Sequence, residues 1–206
     1  GDPGKQLGVM PAAVEQGQLV SLRQRSLDDV APDVRNRTYT IEADVHVDGP
    51  MTEGVLIAHG DATSGYSLYL QDGHLVHDLN VGGVHHVLRS SRPVPAGHHR
   101  LGFSMRLGPW APFDCPLAGR IGLPSVRTGT LWIDGEAAGS LDTQAGFNSL
   151  ISWSGLDIGL DRGSPVSHYE APFQFNGQLR KVTVRLAALP PRSGGEGQAA
   201  AEMARQ

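Results

Sequence analysis

Short runs in which apolar and polar residues alternate, each closed by glycine, proline or an Asp-Gly pair, fill most of this chain. From Thr38 to Val47 it reads T-Y-T-I-E-A-D-V-H-V, with Ile41, Ala43, Val45 and Val47 on one parity and Thr40, Glu42, Asp44 and His46 on the other. Successive side chains of a strand point to opposite faces, so the pattern predicts a strand with one core face. Gly54 to His59 is nearly all apolar, which fits a strand covered on both sides. Tyr66 to Gln71 follows, and Asp72-Gly73 then separates it from the run starting at His74. Asp-Gly between apolar runs is a strong hairpin signal, because the tight turn needs positive φ at both central residues. Further strands are expected at Val84–Ser90, His99–Leu107, Thr130–Ile133, Glu136–Leu141 after a second Asp-Gly at 134–135, Leu156–Leu160 and Gly177–Leu186. These are the elements of an all-β sandwich of two antiparallel sheets.

Composition agrees with that reading. The 27 glycines and 14 prolines are spread between the runs as turn punctuation, and 206 residues can form one all-β domain. The expected organisation is an irregular N-terminal arm over 1–37 with a short helix at Ser26–Val30, the sandwich over 38–186, and a flexible tail over 187–206. The 17 basic residues against 21 acidic ones give a net charge of -4, which argues against a nucleic-acid or anionic-membrane surface. One cysteine, Cys115, permits no intrachain disulfide. With no basic-then-apolar leader in view, the cytoplasm is expected over the periplasm.

Several blocks carry a more specific resemblance. Glu53 to Gly60 (E-G-V-L-I-A-H-G), Gly65 to Leu70 (G-Y-S-L-Y-L) with Asp72-Gly73, and Leu156 to Ser167 (L-D-I-G-L-D-R-G-S-P-V-S) followed by Pro172–Gly177 lie in an order similar to the C-terminal β-sandwich of long bacterial arylsulfatases. The resemblance implies a concanavalin A-like jelly roll serving as an accessory module, with a sulfatase catalytic domain as partner. It carries over no catalytic residue, because Cys115 is followed by P-L-A-G-R and departs from the C-x-P-x-R signature. The chain also inserts Pro109–Arg127, a long loop whose Trp110 and Phe113 would cover a sheet edge or contact a ligand.

Candidate chemistry is sparse. His74 and His77, three apart on a strand, face opposite sides, and the doublets His85-His86 and His98-His99 do the same, so a shared metal is disfavoured at each, and no cysteine cluster supplies zinc ligands. Asp157 and Asp161, in a turn-rich segment, are the candidate ligands for calcium, which accepts carboxylate and carbonyl oxygens in loose geometry. The alternative is that Asp161 caps a turn. Glu42-x-Asp44-x-His46 lacks the third carboxylate of glucanase strands with an E-x-D-x-E pattern, so a glycoside hydrolase using Glu42 and Asp44 is the weakest reading. Tyr66, Asn80, Trp132 and Trp153 are the candidates for stacking on and bonding to a sugar. Asn36-Arg37-Thr38 matches a glycosylation acceptor, a three-residue pattern of little weight. The favoured function is a non-catalytic module for domain packing, protein interaction or self-association. A carbohydrate-binding module with a glycan partner is the alternative.

Overall fold

The computed structural model describes residues 31–115, 119–124, 126–147, 151–152 and 154–188 together with the backbone of 19–22, and the side chains of 110–123 lie outside the description. Among the described residues six strands form one sheet, in spatial order β1 (Leu19–Leu22), β13 (Gln178–Leu186), β2 (Tyr39–Val47), β7 (Gly97–Leu107), β10 (Arg127–Ile133) and β11 (Glu136–Thr143). Five form the second, in order β12 (Leu156–Ile158), β3 (Gly54–Gly60), β4 (Ser64–Gln71), β5 (His74–Val81) and β6 (Val84–Arg89). A separate hairpin joins β8 (Trp110–Cys115) to β9 (Gly119–Pro124). Every pair of neighbouring strands is antiparallel.

Both Asp-Gly pairs make the expected hairpins. Asp72 and Gly73 have φ of 49° and 71°, and Asp134 and Gly135 have 55° and 83°, the left-handed region this turn demands. They fix register, which in turn fixes which side chains face inward. On β2 the predicted parity holds: Tyr39, Ile41, Ala43, Val45 and Val47 are buried between the sheets. They meet Leu68, Leu70, Leu75 and Leu79 of the other sheet in one core, where burying each such aliphatic side chain contributes about 1.5–3 kcal/mol.

Strands β3, β4 and β5 are buried on both faces, as the apolar run at 54–59 suggested for β3. Inward, Leu56 and Ile57 join the main core. Outward, Val55, Ala58, Tyr69 and Val76 pack under Val166, Tyr169 and Phe173 of the segment 159–177. That segment is tied down by backbone bonds, Val55 N–H to Phe173 O at 3.0 Å and Phe175 N–H to Gly159 O at 2.9 Å. The alternating runs of β4 and β5 hide this cover, because nothing local marks a distant segment folding across them.

Two elements differ from expectation. Residues 19–22 of the supposedly irregular arm add β1 to the edge of β13, a four-residue run too short to stand out in the pattern. The insertion at 109–127 is a hairpin. Pro112 and Pro124 disguise it, yet a two-stranded ribbon tolerates proline because each strand has a free edge. The expected helix at Ser26–Val30 and most of the tail lie outside the described residues.

Candidate functional site

The three described sugar-binding candidates do not come together. Tyr66 points between the sheets, fully buried, its ring 5.6 Å from His59, 6.3 Å from Tyr39 and 6.4 Å from Phe147. Asn80 lies on the outer face of the five-stranded sheet, also fully buried, its Nδ2 donating to Ala62 O at 3.0 Å and Val166 O at 3.2 Å while Oδ1 accepts from Gly83 N–H at 2.9 Å. Trp132 projects from the opposite sheet beside Gly102 and Ala137, is buried, and donates its Nε1–H to Ser104 Oγ at 2.8 Å. Each performs a structural task that leaves no open ring or amide. Trp153 lies outside the described residues.

The acidic candidates also have protein partners. Asp157 is held by Arg162, through the backbone N–H at 2.9 Å and Nε at 2.8 Å. Asp161 is buried and accepts from Val166 N–H at 3.0 Å and Tyr169 O–H at 2.7 Å, which is the turn-capping role. Among the described residues no three His, Cys, Asp or Glu side chains converge to hold a metal. Glu42 pairs with Arg100 at 3.4 Å and Arg185 at 3.8 Å on the outer face of the six-stranded sheet, with Asp44 exposed beside it. Cys115 stands opposite Gly119 in the β8–β9 register.

Between the sheets, at the end where β2 and β10 begin, the chain builds a recess that the sequence reading missed. Asn36 adopts φ of 47° and donates its N–H to Phe147 O at 3.2 Å, which draws the segment before β2 against the segment after β11. Arg127 shares the inward parity of Leu131 and Ile133 and is 4% exposed. Its guanidinium donates to Gln144 O at 2.5 Å and Asn36 Oδ1 at 3.1 Å. Gly146 leaves room for it, since a Cβ there would displace the Arg127 guanidinium. Arg37, Tyr39, Phe147, Leu79 and Met105 also line the recess.

The recess has surplus donors. Arg37 Nε and the Tyr39 hydroxyl are both buried without a hydrogen-bond partner, a costly condition for polar groups inside a protein. Burial pushes the Tyr39 phenol far above its usual range, with neighbouring Tyr66 adding to the effect and the Arg127 charge opposing it. Burial lowers Arg127 from its ordinary value, and Tyr39 opposes that. Tyr39 therefore stays a neutral donor beside the Arg127 guanidinium, and no carboxylate lines the recess, although the Arg37 charge acts on Asp33 nearby. Such a site can receive an acceptor or an anion. It offers no group that exchanges protons near neutrality. Its free space is that of about one water molecule, so it fits the tip of a ligand. The signal open to sequence reading was Arg127 itself, a charge on the core-facing parity of R-T-G-T-L-W-I.

The six- and five-stranded sheets, their antiparallel order and the shared core decide the architecture. It is a concanavalin A-like jelly roll. No family model matches the chain, and no curated protein does. Among solved structures, the K499G mutant of NanB sialidase from Streptococcus pneumoniae is similar with a TM-score of 0.50 and 12% identity, over 92% of this chain and 28% of that one. The Ruminococcus gnavus IT-sialidase CBM40 bound to alpha2,3 sialyllactose has a TM-score of 0.47 and 16% identity, over 73% and 75% of the two chains. Mouse laminin alpha1 domains LG4-5 have 0.47 and 15%, over 93% and 49%. At these identities the likeness is one of fold.

The arylsulfatase resemblance is thereby corrected. These structures are of sialidase and laminin type, and no family model supports a sulfatase-associated domain. The blocks that suggested it have structural reasons of their own. G-Y-S-L-Y is a strand buried on both faces, and the D-x-x-x-D-R-G-S-P-V-S stretch anchors the covering segment through Asp157, Asp161 and Ser167.

Proposed function

We propose that this β-sandwich is a carbohydrate-binding module that seats a carboxylate-bearing sugar in the Arg37–Tyr39–Arg127 recess. One observation carries the reading: Arg37 Nε and Tyr39 O–H, two buried donors without partners, belong to residues that line the same recess as the buried Arg127. A carboxylate supplies the missing acceptors, and planar guanidinium groups suit it best. Shallow recognition of a chain end also fits a site too small to enclose a whole sugar ring. The test is calorimetric titration of the full chain with sialyllactose and, for comparison, lactose. Binding of the acidic sugar alone, weakened about tenfold in Arg37→Ala by loss of a charge-assisted contact, is the expected result. Equal response to both sugars, or to neither, refutes the reading.

A second reading, self-association, rests on β6. This edge strand exposes Val84 at 60% and Val87 at 44%, and open apolar edges favour strand pairing. Light scattering that returns the mass of a single chain at high concentration would dismiss it.

A further inference from the structure

The covering segment and the open edge of the five-stranded sheet bring together two histidines that are far apart in sequence. His85 of β6 and His168 of the segment 159–177 have ring centroids 4.1 Å apart. His85 is also gripped from behind. Its Nδ1 lies 2.6 Å from Asp78 Oδ2, and Asp78 is fully buried. The same carboxylate oxygen accepts the Ser167 O–H at 2.6 Å, and Tyr69 O–H donates to Ser167 Oγ at 3.1 Å. With Nδ1 taken up by the Asp78 carboxylate, Nε2 is the ring nitrogen left to face a ligand. The His85 side chain remains 20% exposed, and His168 is exposed beside it.

We infer that His85 and His168 form a binding site for a late first-row divalent cation of the Zn2+ class, with Asp78 as the carboxylate that orients and polarises His85. The argument is independent of the glycan reading. A metal-binding imidazole characteristically donates its other ring N–H to a carboxylate, which fixes tautomer and orientation and strengthens the ligand. Here that partner is already in place, buried, and itself braced by Ser167 and Tyr69. Asp78 has its own need: Oδ1 is buried without a partner, and a positive charge on the far side of His85 offsets part of the cost of a buried carboxylate. Imidazole nitrogens select Zn2+, Cu2+ or Ni2+ over Mg2+. Since no third protein ligand converges among the described residues, water completes the coordination.

A second histidine pair serves as the internal control. His46 and His98 stand opposite each other on β2 and β7, centroids 4.4 Å apart. His46 Nδ1 has no partner, and its Nε2 faces Asp48 at 3.5 Å. There the carboxylate is exposed and stands off at 3.5 Å, whereas Asp78 is buried and grips His85 at 2.6 Å.

The experiment is titration of the untagged full chain with ZnCl2 in metal-free buffer, followed by calorimetry and by NMR of the histidine rings. One equivalent of Zn2+ should shift the His85 and His168 resonances first, and Mg2+ should shift neither. His168→Ala, an exposed change that spares the fold, should weaken Zn2+ at least about tenfold, and Asp78→Asn about 10–100-fold where it folds. His98→Ala should leave the affinity unchanged. The inference is overturned by an absence of heat and ring shifts at millimolar Zn2+, by an unaltered affinity in His168→Ala, or by a loss that follows His98→Ala instead.

Discussion

Two recesses lie back to back between the sheets and share Leu79 and Met105 as a common wall, yet their linings are opposites. One is closed by His77, His86, Leu88, Phe103 and Leu141; its inner surface is apolar, with His77 lying flat on Phe103 at 3.4 Å and 5°. The other carries Arg37, Arg127, Asn36 and the Tyr39 hydroxyl. Burial drives His77 down to about 3, so this ring remains uncharged. Arginine cannot escape its charge in this way and must be answered by hydrogen bonds or a ligand. The same location in the fold thus yields packing on one side and a point of recognition on the other, and the difference lies in which residue type faces inward.

The comparison can be attacked from either side. Phe103→Ala removes the ring under His77 and should cost about 3–5 kcal/mol in denaturant unfolding; a loss below about 1 kcal/mol would mean the apolar recess is not part of the core. Acid should act at His77 on this side and at His59, which lines neither recess. The folded-state values of His77 and His59, about 3 and about 4, lie below the ordinary imidazole value because of burial. The unfolded chain therefore binds protons first as pH falls, and stability declines from about pH 6.5 downward by about 1.4 kcal/mol per pH unit for each ring. From pH 7 to pH 5 the drop should be on the order of 4 kcal/mol, and His77→Leu should halve it.

On the cationic side, Gly146→Val drives a side chain into Arg127 and should destabilise by about 1–3 kcal/mol while abolishing sialyllactose binding. Arg37→Ala should change stability by less than about 0.5 kcal/mol and reduce that binding, whereas His86→Ala across the wall should not; calorimetry that shows both variants alike would erase the distinction. The smallest effect is expected from calcium. With Asp157 and Asp161 already engaged by protein donors, saturating calcium should move the melting temperature by less than about 1 °C. A rise of several degrees that disappears in Asp157→Asn would establish the calcium site.

What could be read from sequence divides along lines of distance. Parity along β2 and the two Asp-Gly turns are local, and they placed most strands and separated Tyr66 from Tyr69 correctly. The same logic sent His85 and His86 to opposite faces. It could not show that register puts His46 beside His98, or that a segment 83 residues further on delivers His168 to His85. The recess was hidden for the same reason, since Arg37 and Arg127 come to line one space through the β2–β7–β10 ladder and the Asn36 bonds. The aromatics that invited a sugar-stacking role were large enough to be needed inside, and both Tyr66 and Trp132 were consumed by packing.

The pairing of β1 with β13 has a mechanical corollary. Leu19 lies opposite Arg185 and Leu22 opposite Val182, so the incoming and outgoing strands run side by side from the same end of the sheet. Tension applied through both would load the bonds between them one after another, as in a zip, and peel β1 away at low force while the sheet behind it stays intact.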